Sequence, residues 1–438
     1  MASDDRPYGT VTEAAGRGAV YEGHGPQAVY DADTDSTYVV YRGPDADPYA
    51  TRFDHATREF DEPTRIGANP LSNADNHGPP SICVLEDGHL LVFYGSHGRH
   101  HQIARSQEPY DVSGWTESKP MDDVPGGTYP SPVVYEGDVY VLYRAGPSWY
   151  EPDYPSARYG TIVRSTDGGR SFEDLGPVID ATGHPDELDI AYVKDMTAAD
   201  GRLYFSWFIC HDPAIPTTAQ GQHRSGIYHA AYDLDDGAIY GMDGTRFEAP
   251  LTWEEMDGTV IEAFGGQDVN HPKHVFTEDG PMILYNHYNP AAVNFDDGTS
   301  RIEWYVTSWR DGRWETERIV DPREPTHTST FATHLFDGGY PRLNEDGQFE
   351  AHIITGGDDP DLVDGKRGGN FEVFTKTDDG WAVRTVATAA DEGTPLSRVT
   401  TVENGRDEFA SLFQPASDDA TAFDIPLYAC GTAWDDGK

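Results

Sequence analysis

His77 and His97 stand twenty residues apart, the first in Asp75-Asn-His-Gly-Pro-Pro-Ser81 and the second in Tyr94-Gly-Ser-His-Gly98. An apolar run follows the first loop and another precedes the second. One strand out and one strand back brings the chain home, so both imidazoles are expected at the same end of one small sheet. Further along come Gly127-Thr-Tyr-Pro130, Leu142-Tyr-Arg-Ala-Gly146, Arg158, Ala191-Tyr-Val-Lys194, Cys210-His-Asp-Pro213 and Ile227-Tyr-His-Ala-Ala-Tyr232. Histidine and tyrosine take and give protons, and the arginine fork binds both oxygens of a carboxylate. Tyr143 and Arg144 are adjacent in a strand and so point to opposite faces. Taken singly, each histidine also reads as a solvated turn residue, and Tyr143 and Tyr192 also read as core aromatics.

The elements that must hold these side chains are mostly β. Gly (46) and Pro (31) punctuate short β-branched and aromatic runs throughout. A turn followed by an aromatic-rich strand recurs at 36–42, 87–94, 137–144, 200–207, 279–285, 346–354 and 407–413. Seven such units, spaced as four-stranded sheets with ordinary loops require, predict an all-β, seven-bladed β-propeller of four-stranded antiparallel blades. Ser165-Thr-Asp-Gly-Gly-Arg-Ser-Phe172 fits the Asp-box pattern, with weaker cousins at 375–381 and 309–314. In such a box the carboxylate caps a hairpin, glycine supplies positive φ, and the aromatic packs between sheets. It is a structural motif and supplies no catalytic group. No linker or composition shift divides the chain, so residues 1–438 are expected to form a single propeller domain, with its motif-bearing part at about 70–290.

Charge narrows the partners. Lys plus Arg is 31 and Asp plus Glu is 76, a formal net charge of −45 spread along the whole chain. That excludes a free-standing nucleic-acid binder and disfavours anionic membranes. No uninterrupted apolar run reaches membrane-spanning length. Only six lysines occur, and an evenly acidic, lysine-poor chain suits molar salt, where the Debye length shrinks to about 3 Å. A halophilic source is the expectation. Cys83, Cys210 and Cys430 are odd in number and far apart, so no disulfide framework is expected. The N-terminus shows no basic and apolar leader pattern. As it stands the chain is expected to be cytoplasmic, or extracellular if a signal was removed.

The ordered blocks at 75–81, 93–98, 127–130, 142–146, 191–194, 210–213 and 227–232 resemble the BNR-repeat family that contains the seven-bladed ulvan lyases. The likeness covers about residues 70–290 and weakens beyond, where Asp337-Gly-Gly-Tyr340 carries it. It implies a carbon–oxygen lyase that cleaves a uronic-acid-containing polysaccharide by β-elimination, with an anionic polysaccharide or oligosaccharide as partner. Such chemistry needs a base for the C5 proton, an acid for the leaving oxygen, and a cation on the uronate carboxylate. By resemblance His77 and His97 are the paired pocket histidines, Tyr143 the catalytic tyrosine, and Arg158 the neutralising arginine. Arg144 is its alternative, and Tyr192 a second pocket tyrosine. His97 or Tyr143 would be the base, and Tyr143 or His77 the acid. The pocket is expected to be a local basic patch on an acidic protein.

The resemblance also implies a structural zinc near one blade: His211, His229 and Cys210 are its candidate ligands, with His271 and His274 available to complete the set, and the alternative is histidines satisfied by backbone carbonyls. No cofactor is required for the chemistry, and no nucleotide-binding signature occurs. Three other readings remain: a sialidase-like propeller, a glycoside hydrolase using two carboxylates, and a non-catalytic glycan-binding propeller. The usual sialidase Arg-Ile-Pro signature is approached only by Thr64-Arg-Ile-Gly67.

Overall fold

A computed structural model describes residues 6–21, 23, 25–146, 158–184, 190–210, 224–262, 269–288, 302–319, 322, 338–356, 369–417, 419 and 421–434. The protein is all-β, with antiparallel sheets arranged as a propeller. The recurring turn–strand segments share one structural position. Ser36–Arg42, Leu90–Tyr94, Asp138–Ala145, Arg202–Cys210, Gly280–Tyr288, Phe349–Gly356 and Ser411–Pro415 are each the second strand of an antiparallel meander.

The first strands of those meanders are Ala28–Asp31, Ser81–Val84, Gly127–Tyr135, Ile190–Ala199, Val269–Thr277, Gly339–Leu343 and Leu396–Thr401. Residues of all seven line one channel of about 660 Å³. A strand start, the end of the next strand and the start of the third therefore share one end of the channel. The hairpins between first and second strands share the other end.

Separate sheets number six among the described residues, where seven were expected. The meander from Gly339 and the one from Leu396 are fused into one eight-stranded sheet by the pair Gly369–Leu396. The second of these is completed from the other end of the chain. Tyr8–Ala15 pairs antiparallel with Ile425–Cys430, so Tyr8 lies opposite Cys430 and Ala15 opposite Ile425. This pairing covers a strand edge that would otherwise offer unpaired backbone groups to solvent.

Apolar side chains fill the spaces between neighbouring sheets. Phe172, the aromatic of the Asp box, meets Phe93 of the preceding sheet edge-on, with ring centres 5.9 Å apart. Asp167 accepts from Ser165 Oγ at 2.8 Å, Ser171 Oγ at 2.7 Å and the Arg170 and Ser171 backbone N–H groups at 2.9 and 3.0 Å. Burial would raise this carboxyl, but the hydrogen bonds outweigh it and hold it at about 2. Trp304, fully buried, lies across Gly339 where a β-carbon would collide with the indole. That contact explains the second glycine before Tyr340: the first strand of one sheet can then close on its neighbour.

Candidate active site

Two loops meet at the strand-start end of the second sheet. The loop before Ser81–Val84 carries Asp75 and His77, and the loop after Leu90–Tyr94 carries His97. Gly95 N–H donates to the Gly78 carbonyl at 3.1 Å, tying one loop to the other. Gly98 N–H donates to the Gly127 carbonyl and to Thr128 Oγ, both at 2.9 Å, which fixes the His97 loop to the next sheet. Gly95 and Gly98 both take φ of 68°, and that geometry favours glycine.

Asp75 sits between the two imidazoles. Its Oδ1 is 2.7 Å from His77 Nδ1 and its Oδ2 is 2.8 Å from His97 Nδ1. The rings stack with centres 3.8 Å apart and planes at 17°. His97 is the more buried, with 8% of its side chain exposed against 28% for His77. Burial pushes His97 below the ordinary histidine value. Asp75 pulls it back, while His77 and Arg144 add to the lowering. Burial would raise Asp75, but hydrogen bonds and charge from both histidines outweigh it and hold the carboxyl far below the usual range.

An aromatic floor continues from this pair. Tyr129 lies 6.0 Å from the His77 ring and 5.9 Å from Tyr192. Its φ of 67° sits in a register shift between Thr128 and Ser131, a local bulge that re-aims the side chain. The Arg144 guanidinium rests 4.7 Å from the Tyr129 ring centre and 4.4 Å from that of Tyr192. Tyr21 closes the other side, 6.1 Å from His77 and 4.8 Å from the Arg398 guanidinium. Lys273 Nζ lies 4.9 Å from the Tyr340 ring and 3.9 Å from Asp195.

His77, His97, Arg144 and Tyr192 thus come together, while Tyr143 goes elsewhere. Adjacent strand residues alternate, so placing Arg144 on the pocket side turns Tyr143 away. Tyr143 is fully buried among Phe93, Val141 and Val163 between two sheets, and its hydroxyl donates to the Pro125 carbonyl at 2.7 Å. Burial pushes that hydroxyl far above the ordinary tyrosine value. Arg158 is nearly fully buried, and its backbone bridges to Ile190 while its carbonyl accepts from Ala191 N–H at 3.0 Å. It therefore sits at the same end, beside the strand that carries Tyr192. Sequence reasoning gave no role to Asp75, Tyr129, Tyr21, Lys273 or Arg398. The aspartate two residues before His77 was the available signal for the first.

The expected zinc ligands do not assemble among the described residues. His229 lies in mid-strand with Nδ1 3.0 Å from Ser206 Oγ, and the same hydroxyl is 3.0 Å from His274 Nδ1. Cys210 is four residues beyond Ser206 on that strand, which is roughly 13 Å away. Its neighbours are Ile190, Tyr192 and Phe208. His211 lies outside the described residues, as do the side chain of His271 and Asp337. Among the described residues, the group with donor atoms close enough for a metal, all within 4.8 Å, is Asp75, His77 and His97. No described helix is long and apolar enough to cross a membrane.

A channel ringed by strand starts, with two carboxylate-tethered imidazoles and aromatic-stacked cations at one end, is the site this propeller builds. The chain belongs to the BNR repeat-containing family, which matches residues 28–321. It is 26% identical over 311 residues to an ulvan lyase of Pseudoalteromonas sp. (strain PLSV), covering 63% of this chain and 61% of that protein. It is 25% identical over 341 residues to an ulvan lyase of Alteromonas sp. (strain LOR), covering 67% of each. The match to the first relative thus spans under two thirds of its length. Among solved structures, a PL25 ulvan lyase bound to -[GlcA(1-4)Rha3S]- superposes with a TM-score of 0.73 at 17% identity, covering 98% of this chain and 96% of that one. Polysaccharide lyase Uly1 gives 0.59 at 12% identity, covering 98% and 94%. These likenesses extend the propeller fold over nearly the whole chain.

Proposed function

We propose that the strand-start end of the channel cleaves a uronic-acid-containing, ulvan-like polysaccharide by β-elimination, and that the seven meanders act as seven blades around it. The observation that carries this reading is the Asp75-tethered histidine pair beside an arginine seated on two tyrosines. The relatives named ulvan lyases support the substrate class.

His97 is the base, because the more buried ring is held neutral. Its Nε2 takes the C5 proton, the electrons form the C4–C5 double bond, and the C4–O4 bond breaks. His77, more open to solvent and 3.8 Å away, gives a proton to the departing O4. Arg144 neutralises the uronate carboxylate so that negative charge can develop at C5, and Arg158 supports it from the adjoining strand. Tyr143 has no part, since its hydroxyl is spent on Pro125. Tyr192 and Tyr129 provide the platform for the sugar. Every step uses the chain's own side chains.

A scan of uronate polymers followed at 235 nm tests the reading, because elimination creates an absorbing unsaturated uronate. Growth of that absorbance with ulvan is the expected result. New reducing ends without absorbance would establish hydrolysis instead.

A further inference from the structure

An ionised carboxylate only accepts hydrogen bonds. The Asp75 carboxylate faces Nδ1 of His77 with one oxygen and Nδ1 of His97 with the other, at 2.7 and 2.8 Å. Both Nδ1 atoms must therefore carry hydrogen. The carboxylate is itself held in place: Asp75 N–H donates to the Ser72 carbonyl at 2.9 Å, and His77 N–H donates to Asp75 Oδ1 at 3.0 Å. Arg42, fully buried, donates to the carbonyls of Arg17 and Asn73 and so pins the loop from beneath.

We propose that Asp75 is the positioning residue of the pocket: it fixes both imidazoles in the Nδ1–H tautomer and leaves Nε2 of each ring as the atom that exchanges protons with substrate. One carboxylate then serves two bases. Stacking at 3.8 Å makes two imidazolium ions repel, so the pair carries at most one extra proton, and that proton sits on one Nε2 or the other. The tether thereby prepares one ring to accept while the other donates. Around His97 the charged groups are Asp75, His77 and Arg144; around Asp75 they are the two histidines, with Arg42 nearby. The use of the two Nε2 atoms rests on the elimination reading, whereas the tautomers do not.

Two measurements test this. In wild-type protein labelled with ¹⁵N-histidine, long-range ¹H–¹⁵N correlations report the tautomer of each ring, assigned with His77→Gln and His97→Gln. Both rings should show protonated Nδ1, and an Nε2–H tautomer at either ring in the neutral pair would overturn the proposal. Asp75→Asn keeps the shape but offers one acceptor and one donor face, so one ring must switch to Nε2–H. Its kcat should fall by roughly 10² to 10⁴, as when a carboxylate that orients a catalytic histidine is made an amide. KM should change far less. The acid limb of kcat/KM should move to lower pH, because removing the anion makes His97 easier to deprotonate. Asp75→Glu should recover part of the rate. A kcat in Asp75→Asn within threefold of wild type would sink the idea. So would loss of the Nδ1–H signals of both rings on adding zinc to the labelled wild type, with the catalytic rate rising as they vanish, since a metal would then hold the Nδ1 atoms. If wild type releases no unsaturated product from any uronate polymer, the elimination reading fails, and the tautomers still decide the role of Asp75.

Discussion

At the hairpin end of the channel two of the connections turn as tightly as a chain can. Glu136-Gly137 and Asp200-Gly201 each join two strands with both residues at positive φ, from 50° to 85°, the turn geometry that matches strand twist. Such turns leave no spare chain, and the side chains at that mouth include the acids Asp31, Asp33, Glu86 and Glu136. At the strand-start end the connections are longer, as at 66–80 and 95–101, and they carry Asp75, His77 and His97. Cations gather there too: Arg144, Arg158, Lys273 and Arg398 all stand at or near that end. The same strands thus support two unlike surfaces. Rigid sheets fix where the strands point, and loop length decides which end has material for chemistry.

The sharpest way to break this contrast is to remove the cation seated on the aromatic floor. Arg144→Ala should lower kcat on a uronate polymer by about 10²- to 10³-fold, the usual loss when a preorganised transition-state donor is removed. Circular dichroism should stay that of the folded sheets. Stability should fall by only about 1–3 kcal/mol, from two cation–π contacts. Retention of a tenth or more of wild-type kcat would mean that this end is not organised around Arg144.

Between the two ends lies the packed interior, and its response to acid separates it from both. His101 is fully buried beside Tyr143, and neither ring nitrogen has a hydrogen-bond partner among the described residues. Burial pushes it down to about 3. A histidine held neutral in the fold stabilises fully above its unfolded pKa of about 6.5 and loses that contribution as pH falls towards about 3. The slope for this group approaches about 1.4 kcal/mol per pH unit. Urea midpoints should therefore drop from pH 7 to pH 5, and His101→Leu should drop less over the same interval. Equal slopes in the two proteins would refute this account. His229, His274 and His352 are lowered by burial as well, so the variant should keep part of the decline.

Tyr143→Phe tests the parity of one strand. The variant should keep kcat within about twofold and cost about 1–2 kcal/mol, because it loses one hydrogen bond and leaves the Pro125 carbonyl without that donor. A large loss of kcat with little loss of stability would return Tyr143 to the chemistry. This residue also marks the limit of what sequence can show. Alternation requires Tyr143 and Arg144 to face opposite ways, but which faces the pocket depends on Tyr129, re-aimed by a bulge in the paired strand, and on Tyr192 in the next sheet. The second strands were legible because each follows a turn signal and carries apolar and aromatic residues at strand spacing. The His77–His97 pair was legible because twenty residues measure one strand out and one back. The zinc reading matched residue types without register: Cys210 and His229 lie on paired strands, yet Cys210 pairs with Arg224 and His229 with Ser206, while His211 lies outside the described residues. Tyr21, Lys273 and Arg398 reach the pocket only through ring closure, and no local pattern announces that.

The smallest effect should come from the acidic mouth. Tyr129 and Glu136 belong to one strand and its hairpin, so they are separated by roughly 23 Å. At about 0.15 M salt the Debye length is about 8 Å, so single charges across that distance are nearly screened. Asp33→Asn combined with Glu136→Gln should change KM for a uronate polymer by less than about twofold at low salt, leave kcat alone, and have no effect in molar KCl. The whole surface behaves differently from any pair of residues on it. A net charge of −45 repels a polyanion during encounter, so wild-type KM should fall as KCl rises towards about 1 M, even though salt also weakens the attraction to Arg144. Buried contacts are screened less than exposed ones, and Arg144 is almost wholly buried. Salt should therefore relieve the repulsion more than it loosens the site. A KM that rises steadily with salt would show that the local cations, and not the distributed acids, govern how substrate reaches the pocket.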